Sequence, residues 1–187
     1  MAERFDVLWL SSELQSAEYC IVAPGLYGAT VESTTLLPYR DLPARIDYSI
    51  STSPAWVTQQ VRIELAAGDL RRTVGLVQNE GWLVDGTPRP DLDGCVDVDL
   101  GWTPATNLLP LRRVPLEDGQ SMTTIAAWVR FPELDIVPSH QTYTRLARDR
   151  VLYQSATFEA ELVVTPDGIV TTYGAGLWSA AKLHQRR

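Results

Sequence analysis

The sequence predicts a mainly β protein: a single curled antiparallel sheet of roughly ten or more strands with one or two short helices. Three observations carry this expectation. Period-two alternation runs through long stretches of the 187 residues, turn-forming residues recur between those stretches, and helical periodicity is thin.

Taken in chain order, Ile46, Tyr48 and Ile50 alternate with Asp47 and Ser49. Val57, Val61, Ile63 and Leu65 alternate with Thr58, Gln60, Arg62 and Glu64. Successive strand side chains point to opposite faces, so each segment has one apolar and one wet side. Ala66-Ala67-Gly68-Asp69 then links 57–65 to 70–77, and Gln78-Asn79-Glu80-Gly81 links 71–77 to 82–84, which makes a meander. Phe158, Ala160, Leu162 and Val164 alternate with Thr157, Glu159 and Glu161. Thr165-Pro166-Asp167-Gly168 folds this segment back on 169–173, with Pro already near the required φ and Gly free to leave the turn. Helices are expected over 139–151, capped by Ser139 with Tyr143, Leu146, Ala147 and Val151 on one face, and over 177–184. The Pro-bearing stretches 38–43, 86–90, 103–115 and 132–138 read as loops or strand edges.

Composition sets the limits. One domain over 1–187 is expected, since no repeat, charge run or compositional shift marks a linker. The net charge of -7 repels phosphate backbones, so no nucleic-acid partner is expected. The cations Lys182, Arg186 and Arg187 are too few to reverse that and read as a frayed terminus. Glu3 and Asp6 stand where an export signal needs basic residues, and no apolar run is long enough for a transmembrane segment. The expected location is therefore cytoplasmic. Cys20 and Cys95 form no disulfide scaffold and no CxxC pair; buried thiols are expected. His140 and His184 read as surface residues. No P-loop, dinucleotide fingerprint or G-x-S-x-G elbow is present, and no cofactor is expected.

The chemistry concentrates in 91–113, DLDGCVDVDLGWTPATNLLPLRR. Asp97 and Asp99 share one strand face ~7 Å apart, with Arg112 and Arg113 the nearest cations in sequence. The pair admits a structural use, paired with arginine, and a binding use. In the binding use the acids join Thr103, Thr106, Asn107, Arg112 and Arg113 at the polar end of a pocket, and Trp82 or Trp102 faces a sugar ring. A catalytic use rests on spacing alone, because glycosidases need two carboxyls ~5–9 Å apart and any strand with acids at i and i+2 supplies that. A metal use fails, because Cys95 and Val96 occupy positions where a calcium loop needs an oxygen ligand and Gly.

This segment resembles the signature of an uncharacterised bacterial family of glycolipid-binding proteins. The residues that carry the likeness are Leu92, Gly94-Cys95, Asp97-Val98-Asp99-Leu100, Thr103-Pro104, Thr106-Asn107, Leu109-Pro110 and Arg112-Arg113. It continues through Gln141-x-Tyr143, Tyr153, Phe158 and Asp167-Gly168, and upstream through Glu18, Gly28, Tyr48, Trp56 and Gly81-Trp82. Ala105 and Leu108 depart from the pattern, as does the segment 173–178. The resemblance implies a half-barrel fold like that of bacterial lipoprotein carriers. It also adds Gln141 and Tyr143 to the candidate binding residues.

The resulting expectation is non-catalytic binding of a small amphipathic ligand, a glycolipid or lipid, in the concave face of the sheet. The rivals are a glycoside-cleaving enzyme using Asp97 and Asp99, and an interaction protein in which this block is a structural keystone. The sequence carries no sign of the oligomeric state.

Overall fold

The computed structural model describes residues 4–186. Glu3 and Arg187, used above in reading the two termini, lie outside the described residues. The chain divides into two compact units, one taking in residues up to Asp93 together with those from Ala180 onward, the other Gly94–Ser179.

The first unit is built from β1 (Arg4–Ser11), β2 (Ser16–Gly25), β3 (Gly28–Tyr39), β4 (Leu42–Thr52), β5 (Thr58–Ala67), β6 (Leu70–Gln78), β7 (Trp82–Val84) and β8 (Thr87–Pro88). Each strand pairs antiparallel with the next. The meander expected over 57–84 is present, with both of its turns. Pro38 and Pro43 face each other across a hairpin rather than lying in a loop; Arg40 and Asp41 close it with positive φ at both positions.

Register explains the core of this unit. Val7, Cys20, Ser33, Tyr48, Ile63 and Val74 line up across β1 to β6, all buried. On the same face Ile46, Ile63 and Leu76 have no exposed surface. Burying each such side chain is worth about 1.5–3 kcal/mol. Glu18 lies among them, its Oε1 accepting hydrogen bonds from Ser33 Oγ at 2.8 Å and Tyr48 OH at 2.5 Å.

The second unit holds β9 (Asp97–Leu100), a 3-10 turn at Ala105–Asn107, α1 (Leu108–Arg113), β10 (Ser121–Val129), β11 (Ile136–Ala147), β12 (Arg150–Ser155), β13 (Glu159–Val164) and β14 (Val170–Tyr173). β15 (Trp178–Arg186) pairs with β14 through Thr172↔Ser179 and Tyr173↔Trp178. The expected fold class is the one observed: mainly β, fifteen strands in one open sheet order from β8 to β9, with a single short α-helix.

Four local expectations are corrected. Residues 139–151 are strand in β11 and β12, because Gln141 and Tyr143 alternate inward with a period of two and pair with Ser155 and Tyr153. Of residues 177–184, Leu177 lies in a turn and the rest are strand in β15, which pairs with β14 at its start instead of forming a helix. Two of the tail cations do not fray: Lys182 and Arg186 lie on β15, and Arg186 pairs with Asp6 at 3.2 Å. The stretch 103–115 holds α1, which accommodates Pro110 because a first-turn residue needs no intrahelical donor. That helix lies in the crossover between β9 and β10, which pair in parallel; the sheet is antiparallel elsewhere in this unit.

Candidate functional site

The parallel pair β9–β10 and the crossover helix gather a polar network inside the second unit. On β9, Asp97 and Asp99 stand opposite Ala126 and Trp128 of β10. Asp97 is 1% exposed, and its charge is met by a two-pronged guanidinium. Arg113, at the end of α1, donates from Nη1 to Oδ1 and from Nη2 to Oδ2, the latter at 2.7 Å. Thr124 Oγ1 donates to Oδ2 at 2.7 Å and accepts from Arg113 Nη2 at 3.1 Å. Such a fork-on-carboxylate pair is strong because both donors and both acceptors are fixed in one plane.

Asp99 differs. It is half-buried, and the ion pairs seen for Arg112 and Arg113 go to Asp167 and Asp97. Gln141 Nε2 donates to its Oδ2 at 2.6 Å, and Thr106 Oγ1 lies 3.4 Å from Oδ1. Burial pushes its carboxyl up to about 6, the charge on Asp97 adds to the rise, and the Gln141 and Thr106 bonds work against it. Tyr143 carries the network onward: its hydroxyl lies 3.0 Å from Asn107 Oδ1 and 3.3 Å from Gln141 Oε1. Asn107 Nδ2 in turn donates to the Pro104 carbonyl at 3.1 Å, which fixes the start of α1. Burial holds the Tyr143 hydroxyl well above its usual range, with Asp99 second among the causes.

Beside this network the aromatic rings form a step from core to solvent. Tyr143 meets Tyr153 edge-on at 5.2 Å between centroids, and Tyr153 meets Tyr173 and Phe158 at 6.4 and 6.3 Å. Phe158 and Tyr173 stack at 6.1 Å with 18° between planes, and Phe158 is 44% exposed. Leu111 of α1 packs into the same cluster with Tyr143, Val151, Tyr153 and Leu162.

The remaining candidates fall as follows. Thr103 is buried, and its Oγ1 accepts from the Ala105 N–H at 3.0 Å, which shapes the 3-10 turn. Arg112 turns to Asp167 at 3.1 Å, so the tight turn between β13 and β14 docks on α1. There Gly168 sits at φ +82°, with the Leu108 side chain 3.3 Å from where a Cβ would stand. Trp102 is buried against Phe131, and Trp82 is a buried core residue of the first unit. The structure thus brings together two neighbouring groups on β9, Asp97 with Arg113, and Asp99 with Thr106, Gln141, Tyr143 and Asn107. Sequence reasoning did not choose Thr124, Tyr153, Tyr173 or Phe158 for the site. Phe158 and Tyr153 stand on alternating segments, which is the signal that could have placed them beside Gln141 and Tyr143. Cys20 and Cys95 are buried free thiols, as expected. No group of residues able to hold a metal ion occurs among the described residues, and none of their helices is long and apolar enough to cross a membrane.

A family model described as "Putative glycolipid-binding" matches residues 6–179. Among solved structures, the chain is similar to a DUF1089 family protein from Pseudomonas aeruginosa, with 28% identity and a TM-score of 0.77. The match covers 86% of this chain and 90% of that one. No curated protein matches the chain.

Proposed function

We propose, from the premise that the chain belongs to this glycolipid-binding family, that it binds the hydroxylated head of an amphipathic ligand at Asp99 without catalysis. The observation that carries the reading is the contrast on one strand face. Asp97 is saturated by Arg113 and Thr124, whereas Asp99 is half-buried, held by amide and hydroxyl donors near a stack of rings. A carboxylate accepts from vicinal hydroxyls, Gln141 orients it, and an aromatic face suits the C–H side of a sugar ring. The apolar portion of the ligand lies along Phe158 and Tyr173. Asp97, Arg113, Thr124, Thr103 and Asn107 hold the geometry, and Arg112 ties the β13–β14 turn to the same frame. The cytoplasm is its compartment on this reading, in keeping with two buried cysteines outside any disulfide.

Calorimetry with octyl glucoside, glucose and octanol tests the reading. Octyl glucoside is expected to bind more tightly than either fragment, and Asp99→Asn to weaken it about tenfold, the worth of one or two charge-assisted hydrogen bonds. Absence of binding across a panel of alkyl glycosides, or equal binding by Asp99→Asn, contradicts it.

A glycoside-cleaving reading has one observation in its favour: a carboxyl raised to about 6 suits a general acid. Its partner fails, because a carboxylate 1% exposed and gripped by Arg113 does not meet an anomeric carbon. Turnover of chromogenic glycosides that disappears in Asp97→Asn would restore it.

A further inference from the structure

Far from the polar network in character, the first unit presents an apolar hairpin tip. Leu26 and Tyr27 are 90% and 91% exposed, more than any other large hydrophobic residue among those described. They form the whole connection between β2 and β3, closed directly beneath by the pair Gly25↔Gly28. The tip is braced. Gly28 sits at φ +131°, where a Cβ would lie 1.7 Å from the Thr52 carbonyl oxygen, and the Ala29 N–H donates to Thr52 Oγ1 at 3.0 Å.

That contact sets the turn between β4 and β5 beside the tip. Pro54 and Ala55 are exposed there and Trp56 is half-buried. The turn is closed by Ser53 N–H to the Val57 carbonyl and Trp56 N–H to the Ser53 carbonyl, both at 2.9 Å. The sequence around both turns is free of charge. Residues 21–31 and 48–61 contain no Asp, Glu, Lys, Arg or His, in a chain of which 21% is charged.

We propose that these two adjoining turns contact a lipid bilayer, with Leu26 and Tyr27 entering its interfacial zone. Leucine gains by leaving water, and tyrosine keeps its hydroxyl at the headgroup level while its ring goes deeper. Charge-free turns lower the desolvation cost that would oppose insertion, and the charges nearest on β1, Arg4 and Asp6, are paired with each other at 3.0 Å. A braced tip loses little conformational freedom on docking. With a net charge of -7 the surface fits zwitterionic rather than anionic lipid. The inference does not depend on the Asp99 site.

Co-sedimentation with phosphatidylcholine vesicles at millimolar lipid tests it, comparing the native chain with L26S/Y27S. Each lost side chain is worth roughly ten- to a hundredfold in partition, so the double variant should bind at least tenfold more weakly. Its melting temperature and its binding of octyl glucoside should be unchanged. Binding should be insensitive to salt and weaker on phosphatidylglycerol vesicles. Because Cys20 and Cys95 are buried, Tyr27→Cys labelled with an environment-sensitive fluorophore gives a second readout: a blue shift on adding vesicles. Equal sedimentation of both proteins, an unshifted fluorophore, or self-association through the tip without vesicle binding would each overturn the proposal.

Discussion

The two units reach burial by different routes. In the first, every strand follows its neighbour by a hairpin, and buried rows such as Val7, Cys20, Ser33, Tyr48, Ile63 and Val74 are set by alternation alone. In the second, a crossover carrying α1 separates parallel β9 and β10, and the decisive contacts join distant residues: Asp97 with Arg113, Asp99 with Gln141, Arg112 with Asp167. The first fills its face mostly with apolar side chains around one buried acid, Glu18, met by hydroxyls; the second holds an acid–arginine pair there. The difference teaches where function can reside. The acid on this face of the first unit, Glu18, is closed in at 0% exposure, whereas in the second Asp99 is only half-buried.

The largest effect should come from breaking the lock of the second unit. Arg113→Ala leaves Asp97 buried without its cation and should cost about 3–5 kcal/mol, read from the denaturation midpoint. A loss below about 1 kcal/mol would show that the lock is not needed. For comparison, Ile63→Val removes one methylene from the first unit and should cost about 0.5–1.5 kcal/mol. Equal losses would erase the contrast between the units.

Next comes Tyr143→Phe. It deprives Asn107 and Gln141 of a hydroxyl partner in a buried place, for a loss of about 1–3 kcal/mol. Tyr48→Phe, which takes a hydroxyl from Glu18, tests a comparable polar contact inside the first unit and should cost a similar amount.

A pH series sharpens the comparison further. The folded Asp99 carboxyl keeps its proton to about 6, against an ordinary 3.8. Between those values the folded chain binds more protons than the unfolded one, so this group's stabilisation is complete below 3.8 and declines as pH rises to 6. Asp99→Asn should therefore flatten the melting profile across that window relative to the native chain. Identical slopes would place the raised carboxyl elsewhere. The smallest effect on stability is expected for Phe158→Ala, under about 1 kcal/mol because the ring is 44% exposed. Octyl glucoside binding should nonetheless fall several-fold.

What could be read ahead of the structure follows the same division. Hairpins whose turns are written locally, such as Thr165-Pro166-Asp167-Gly168 between β13 and β14, were legible because alternation and turn chemistry lie within a few residues. α1 was not, because Pro110 looks like a breaker unless it is known to lie in the first turn. The parallel pairing of β9 with β10 was not, since nothing local to either strand specifies direction. In the site, Asp97 with an arginine was foreseeable, as Arg112 and Arg113 follow closely. The choice of Arg113, with Arg112 turned to Asp167, depends on which side of a short helix each occupies. Gln141, 42 residues from Asp99, entered only through the family resemblance.

The most direct test follows the Asp99 side-chain carbon by NMR through a pH titration, with and without saturating octyl glucoside. A midpoint near 6 in the free protein is expected. It should move downward with ligand, because hydroxyls donating to the carboxylate favour its ionised form. A midpoint in the ordinary aspartate range, or one that the ligand leaves in place, would contradict the assignment of Asp99 as the group that meets the ligand.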